Sequence, residues 1–150
     1  MSETPPHLLQ GNRPLDPEFL PSERLFFRIK SSQLVEGQVA PEAIRFPRFS
    51  VNREKYNRPA DVLVPDWPDW GVAAFKYEDV PDKPWSAVGS PHEFTFRVEH
   101  DPLPHNYAHS ELRAYRNREH SEKIDVPKTV KKAFRQELAA RVVVLRVPRS

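Results

Sequence analysis

Apolar and polar residues alternate with a period of two in several short runs, and each run stops at proline, glycine or asparagine. In Arg24–Lys30, Leu25, Phe27 and Ile29 alternate with Arg24, Phe26, Arg28 and Lys30, the pattern of a strand with one buried face. The cleanest strand is His92–His100, where Phe94, Phe96 and Val98 point one way and Glu93, Thr95, Arg97 and Glu99 the other. Extended chain is predicted over 46–51, a short strand over Gly71–Tyr77, and a β-branched terminal strand over Arg141–Pro148. Between them lie a short helix over 41–46 opened by Pro41, a turn at 52–57 and a helical turn over 58–63. Proline-punctuated loops follow at 65–70, 78–91 and 101–105, with a turn at 117–121.

A helical period persists in one place. Val130, Phe134 and Leu138 share a face, Asp125 is placed as N-cap and Pro127 near the first turn, predicting an amphipathic helix over Val126–Ala140. Ala108–Tyr115 fits both periods: Ala108, Leu112 and Tyr115 have helical spacing, whereas Ala108, Ser110, Leu112 and Ala114 alternate. A strand that pairs with 93–99 across the 101–105 loop is preferred. Residues 1–23 hold Pro5, Pro6, Pro14, Pro17 and Pro21, which block helix and ladder alike. They are expected to form an extended arm, on the domain or partly disordered, with Leu8, Leu9, Phe19 and Leu20 as its anchors. The expected architecture is one α+β domain over 24–150: a mainly antiparallel sheet, a C-terminal amphipathic helix and the proline-rich N-terminal arm.

Composition narrows the chemistry. The 150 residues include no cysteine, which excludes disulfides, thiolate nucleophiles and cysteine-based metal centres. No signal-like N-terminus or long apolar run is present, so a cytoplasmic protein with no membrane partner is expected. The net charge of +2 is too small to argue for nucleic acid by itself. Between Lys128 and Ser150, however, seven basic residues face one acid, Glu137, an excess that suits an acidic partner, phosphates or a solvated helix face.

The segment His100–Arg113 concentrates three of the six histidines with Asp101, Tyr107, Glu111 and Arg113. Histidine titrates near neutrality and passes protons in concert with a carboxylate, while arginine holds phosphate or carboxylate. His105, His109 and Glu111 are the candidate catalytic residues, with Arg28, Ser50 and Arg113 as candidate substrate-binding residues. A helix would set His105 and His109 on one face as metal ligands, with Glu111 or Asp101 as a third. On a strand their α-carbons would stand roughly 13 Å apart, so no metal is expected. The strand instead puts His109, Glu111, Arg113 and Tyr115 on one face, either lining a cleft or forming an exposed, charge-paired sheet face against Arg97 and Glu99. Trp67 and Trp70, in Pro65–Trp70, are read as caps on the core or as stacking platforms for a ligand.

Arg28, Ser50 and Glu111 resemble, in chain order, the Arg, Ser and Glu of the arginine-serine-glutamate class of ADP-ribosyltransferases. That resemblance implies that Arg28, on the first strand, binds nicotinamide dinucleotide (NAD), that Ser50 begins the next key strand, and that Glu111 orients ribose and acceptor. The family's second acid, two positions before the Glu, is His109 in this chain. A metal-independent ribonuclease using His105 and His109 with Arg113 is the other enzyme class considered. The runs Phe46–Arg53, His105–Arg116 and Pro127–Arg135 resemble a group of small uncharacterised bacterial proteins, which implies one intact domain from Arg24 onward. The expected role is a component of a bacterial conflict or stress system acting on a nucleotide or nucleic acid. The alternative is a non-catalytic module that docks a protein of the same system through the arm and the basic end.

Overall fold

A computed structural model describes residues 4–46, 48–63, 66–117, 119–120 and 125–149. In chain order the elements are β1 (Arg24–Ile29), the two-residue strands β2 (Leu34–Val35) and β3 (Gln38–Val39), β4 (Arg48–Arg53), β5 (Gly71–Lys76), β6 (Phe94–His100), β7 (His109–Arg116), β8 (Glu119–His120), α1 (Lys128–Ala139) and β9 (Val143–Arg146). Six strands form one sheet in the order β6-β7-β4-β1-β5-β9, with β8 folding back on β7, and every pairing is antiparallel. This is an α+β fold, mainly antiparallel, with one C-terminal helix. Among the described residues no helix is long and apolar enough to cross a membrane.

The two faces of the sheet are covered differently. Leu25, Phe27, Ile29, Phe49, Val51, Phe75, Phe96 and Leu112 make the main core with Val130, Phe134 and Leu138 of α1. The Phe96 and Phe134 rings stack with centroids 3.8 Å apart. On the opposite face Phe26, Val72 and Ala74 meet Val62 and Leu63 of a 3-10 turn, Pro59–Leu63, with Trp67, Trp70 and Leu145 around them. This second cover spans only β1 and β5 and their flank, because β4, β7 and β6 present polar residues on that face.

Several expectations need correction. β1 is buried on both faces, Phe26 being fully inaccessible, since a central strand under two covers has no solvent side. The expected turn at 52–57 begins later: β4 runs on through Asn52 and Arg53, which pair with Phe26 and Leu25. β6 starts at Phe94, and the expected helix at 41–46 is a 3-10 turn over Pro41–Ala43. Pro127, not Asp125, is the N-cap of α1, and no side chain caps it. After β7 the chain pairs back as β8, with Asn117 at φ 50; residues 118 and 121 of the expected turn lie outside the described residues. The β2–β3 hairpin, turning at Glu36 and Gly37 with φ 53 and 81, was not expected; Gly37 accepts that conformation without steric cost.

The arm lies on the domain. Leu8 is buried and Phe19 stacks on Tyr77 at 4.7 Å, whereas Leu20 stays exposed. Its main fastening is polar: the fully buried Arg53 guanidinium grips both oxygens of Glu23 at 2.9 Å and donates to the carbonyls of Asp16 and Glu18. His100 adds a second tie, accepting the Asp16 N–H at Nδ1 and donating from Nε2 to the Tyr107 carbonyl.

Candidate functional site

β7 is a strand because it has a neighbour on each side and its residues sort cleanly. Leu112 and Ala114 enter the core, and His109, Glu111, Arg113 and Tyr115 take the other face. Register then sets Ser50 opposite Glu111, Asn52 opposite His109, and Glu99 opposite Glu111 from the other side. Arg28 shares this face, two residues beyond Phe26, which pairs with Asn52. Glu111, Ser50 and Arg28 therefore stand on three neighbouring strands, β7, β4 and β1, on one side of the sheet.

Where the second cover ends, a cleft of about 600 Å³ opens. Its floor is Ser50, Asn52 and His109, and one wall is Arg28, Val62, Trp67 and Trp70. The 101–106 loop supplies the rest through Leu103, His105 and Asn106, and Arg45 and Arg48 border it. Arg28 is half-buried, its guanidinium 3.7 Å over the Trp67 ring. Burial and then the nearby Arg45 charge pull its pKa below the usual guanidinium value. Among the described residues neither Arg28 nor Arg45 has a carboxylate partner within ion-pair distance. Two such cations beside low-dielectric aromatic walls favour an anion. Trp67 thus closes the small core and also lines the cleft.

His109 is 7% exposed and held at both nitrogens. Its Nδ1 lies 2.8 Å from the Asp101 carbonyl, which only accepts, so in the neutral ring Nδ1 carries the proton. That leaves the Nε2 lone pair facing the Ser50 hydroxyl at 3.3 Å. This is the order in which a serine nucleophile, its base and an orienting acceptor would have to stand.

Glu111 stands beside the cleft and is engaged. Arg113 donates to it from Nε and Nη2 at 2.9 and 2.8 Å, reaches Asp101 at 3.0 Å and lies 3.8 Å from Glu99. Burial opposes the Arg113 charge, but Glu111 and then the other carboxylates outweigh it and push its pKa up. Tyr115 donates to Glu99, and burial followed by that bond holds its phenol well above the usual range. Ligand atoms of Asp101, His109 and Glu111 lie within 4.8 Å of one another, spacing that suits a metal ion. The Arg113 guanidinium already holds both carboxylates, so the charge a metal would supply is in place.

Of the sequence candidates, Arg28, Ser50, His105 and His109 line the cleft, while Glu111 and Arg113 form the ion cluster next to it. His100 faces away and serves the arm. Arg45, Arg48, Asn52 and Asn106 were missed. Arg45 and Arg48 are single arginines in a segment read only for its backbone, and Asn52 looked like a turn residue. The Asn106 amide donates to Asn52 Oδ1 at 2.6 Å and ties the 101–106 loop to the cleft floor. Compared with protein-family models, curated proteins and solved structures, the chain matches none.

Proposed function

We propose that this chain is a transferase or hydrolase acting on NAD, with Arg28 binding the dinucleotide's phosphates and Glu111 orienting its ribose. The observation that carries this reading is the alignment of Arg28, Ser50 and Glu111 on three adjacent strands beside one cleft. Chain order alone is cheap to match; a shared face is a much stricter requirement. Arg28 and Arg45, which have no carboxylate partner among the described residues, suit a pyrophosphate, and Trp67 and Trp70 suit a flat heteroaromatic ring. Consumption of a dinucleotide is chemistry fit for a bacterial conflict or stress system. A docking module built on the arm fits less well with an arm that Arg53 and His100 hold against its own sheet.

The test is the melting temperature in millimolar NAD, together with release of free nicotinamide. Ligand at about a hundred times Kd stabilises by about 2.7 kcal/mol. The wild-type chain is expected to shift upward and release nicotinamide, Arg28→Ala to lose the shift, and Glu111→Gln to keep the shift and lose release. No shift and no release would overturn the reading. A metal-independent ribonuclease is the second reading, because His105 and His109 both line the cleft; RNA cleavage insensitive to chelator, with no dinucleotide effect, would transfer the assignment to it.

A further inference from the structure

Resting on that reading, we infer that the acceptor in the transfer is the chain's own Ser50, activated by His109. Ser50 carries the only hydroxyl among the described residues that line the cleft, and its side chain is exposed there. It is also the hydroxyl within reach of a base whose free lone pair is fixed in direction, since the Asp101 carbonyl claims the proton on the far nitrogen. The neighbouring carboxylates are occupied, and of the two histidines that line the cleft His109 is the one hydrogen-bonded to Ser50. Asp61 binds His7 at 2.9 Å and the Arg58 N–H at 2.8 Å, and Glu111 is held by Arg113. Where the resembling family has a second acid, this chain has His109, and its imidazole forms a nucleophile–base pair with serine that a carboxylate locked to Arg113 would not provide.

In the step, His109 Nε2 takes the Ser50 proton as Oγ bonds to the ribose carbon that bears the nicotinamide. The carbon–nitrogen bond breaks, its electron pair leaves with the ring and cancels the ring's positive charge, and the imidazolium gives its proton to solvent. Nothing is oxidised or reduced. The products are nicotinamide and an ADP-ribosyl group on Ser50 Oγ, within a cleft whose cations Arg28 and Arg45 can hold the attached phosphates.

The experiment incubates the full chain with NAD, quenches in acid, and reads intact mass, peptide mapping and free nicotinamide in parallel. Up to one ADP-ribosyl group per chain is expected, mapped to Ser50 and absent in Ser50→Ala. It should form about 100-fold more slowly in His109→Asn, the size of a general-base contribution. The asparagine amide can still donate to the Asp101 carbonyl, and a melting curve checks its fold. Nicotinamide released with no adduct on Ser50 overturns the acceptor role and leaves the proposed function standing, and an adduct that forms equally fast in His109→Asn overturns the activation. Absence of nicotinamide release defeats the function itself. The pair is then judged on Ser50→Cys, the sole thiol in a chain without cysteine. Iodoacetamide should alkylate it at least about tenfold faster with His109 present than in the Ser50→Cys/His109→Asn double variant, and equal rates overturn the inference.

Discussion

Arg53 has no solvent exposure, and its guanidinium is surrounded by acceptors: the Glu23 carboxylate, two arm carbonyls and, at 3.4 Å, Asp16. Removing the cation leaves Glu23, itself nearly inaccessible, as an unpaired buried charge. Arg53→Met should therefore cost about 3–5 kcal/mol in a urea titration, more than any exposed arginine of the chain. His100 is the complementary case. Burial first, and the Arg53 charge with it, holds its pKa below the ordinary imidazole value, against the opposing pull of the Tyr107 carbonyl, Asp16 and Glu23. A folded pKa below the unfolded one means that the unfolded chain binds the proton more readily. The stability from neutral His100 is complete above the ordinary histidine range and is lost as pH falls through about 6.5 and below. The urea midpoint should decline over that window in the wild type, and the decline should flatten in His100→Gln. None of this was legible from residue type: Arg53 read as a turn residue and His100 as the start of a histidine-rich segment.

At the scale of elements, the strands were legible because alternation reports a face, and α1 because Val130, Phe134 and Leu138 recur at helical spacing. Phe134→Ala should cost about 3–5 kcal/mol, measured by thermal or urea unfolding, since its ring fills the space between α1 and Phe96, Phe46 and Trp85. The β5–β9 pairing makes a less obvious demand. A Cβ built on Gly71 would stand 2.3 Å from the Arg146 carbonyl and 2.6 Å from Pro148 Cδ. Gly71→Ala should displace the chain after Leu145 and cost about 1–3 kcal/mol, with earlier hydrogen exchange in β9 than in β6 or β7. That requirement belongs to a contact 75 residues away in sequence, so no local pattern announces it.

For the whole molecule, the division of the sheet into a helix-covered face and a half-covered face creates the site. Val62, Leu63, Trp67 and Trp70 cover β1 and β5, and the cleft occupies the remainder over β4 and β7. The arm completes the rim through Leu8 and the His7–Asp61 pair. Deleting residues 1–20 should lower stability by at least about 3 kcal/mol, from two lost charge-assisted bonds to Arg53, and should weaken the dinucleotide's melting shift in the remaining folded protein. Full stability with an unchanged shift would show that the arm supports neither fold nor cleft.

The amino-acid sequence by itself determined the main strands and the C-terminal helix, because period and punctuation are local properties of the chain, but it left 108–115 open between the two periods and carried no sign of the β2–β3 hairpin. It also placed His109 and Glu111 on one face as soon as 108–115 was taken as a strand. Only tertiary structure decided the rest. Strand order brought Arg28 and Ser50, widely separated in sequence from Glu111, to adjacent positions, and the arm, packed over the ends of β4 and β6, buried Arg53 and His100. The long-range contacts also sorted the polar residues of His100–Arg113 into three uses: His100 ties down the arm, Arg113 neutralises Glu111 and Asp101, and His109 alone keeps a lone pair directed at the Ser50 hydroxyl. Which polar side chains are consumed by the fold and which stay available for chemistry depends on the partners that folding brings within hydrogen-bond reach, and sequence spacing does not encode those partners.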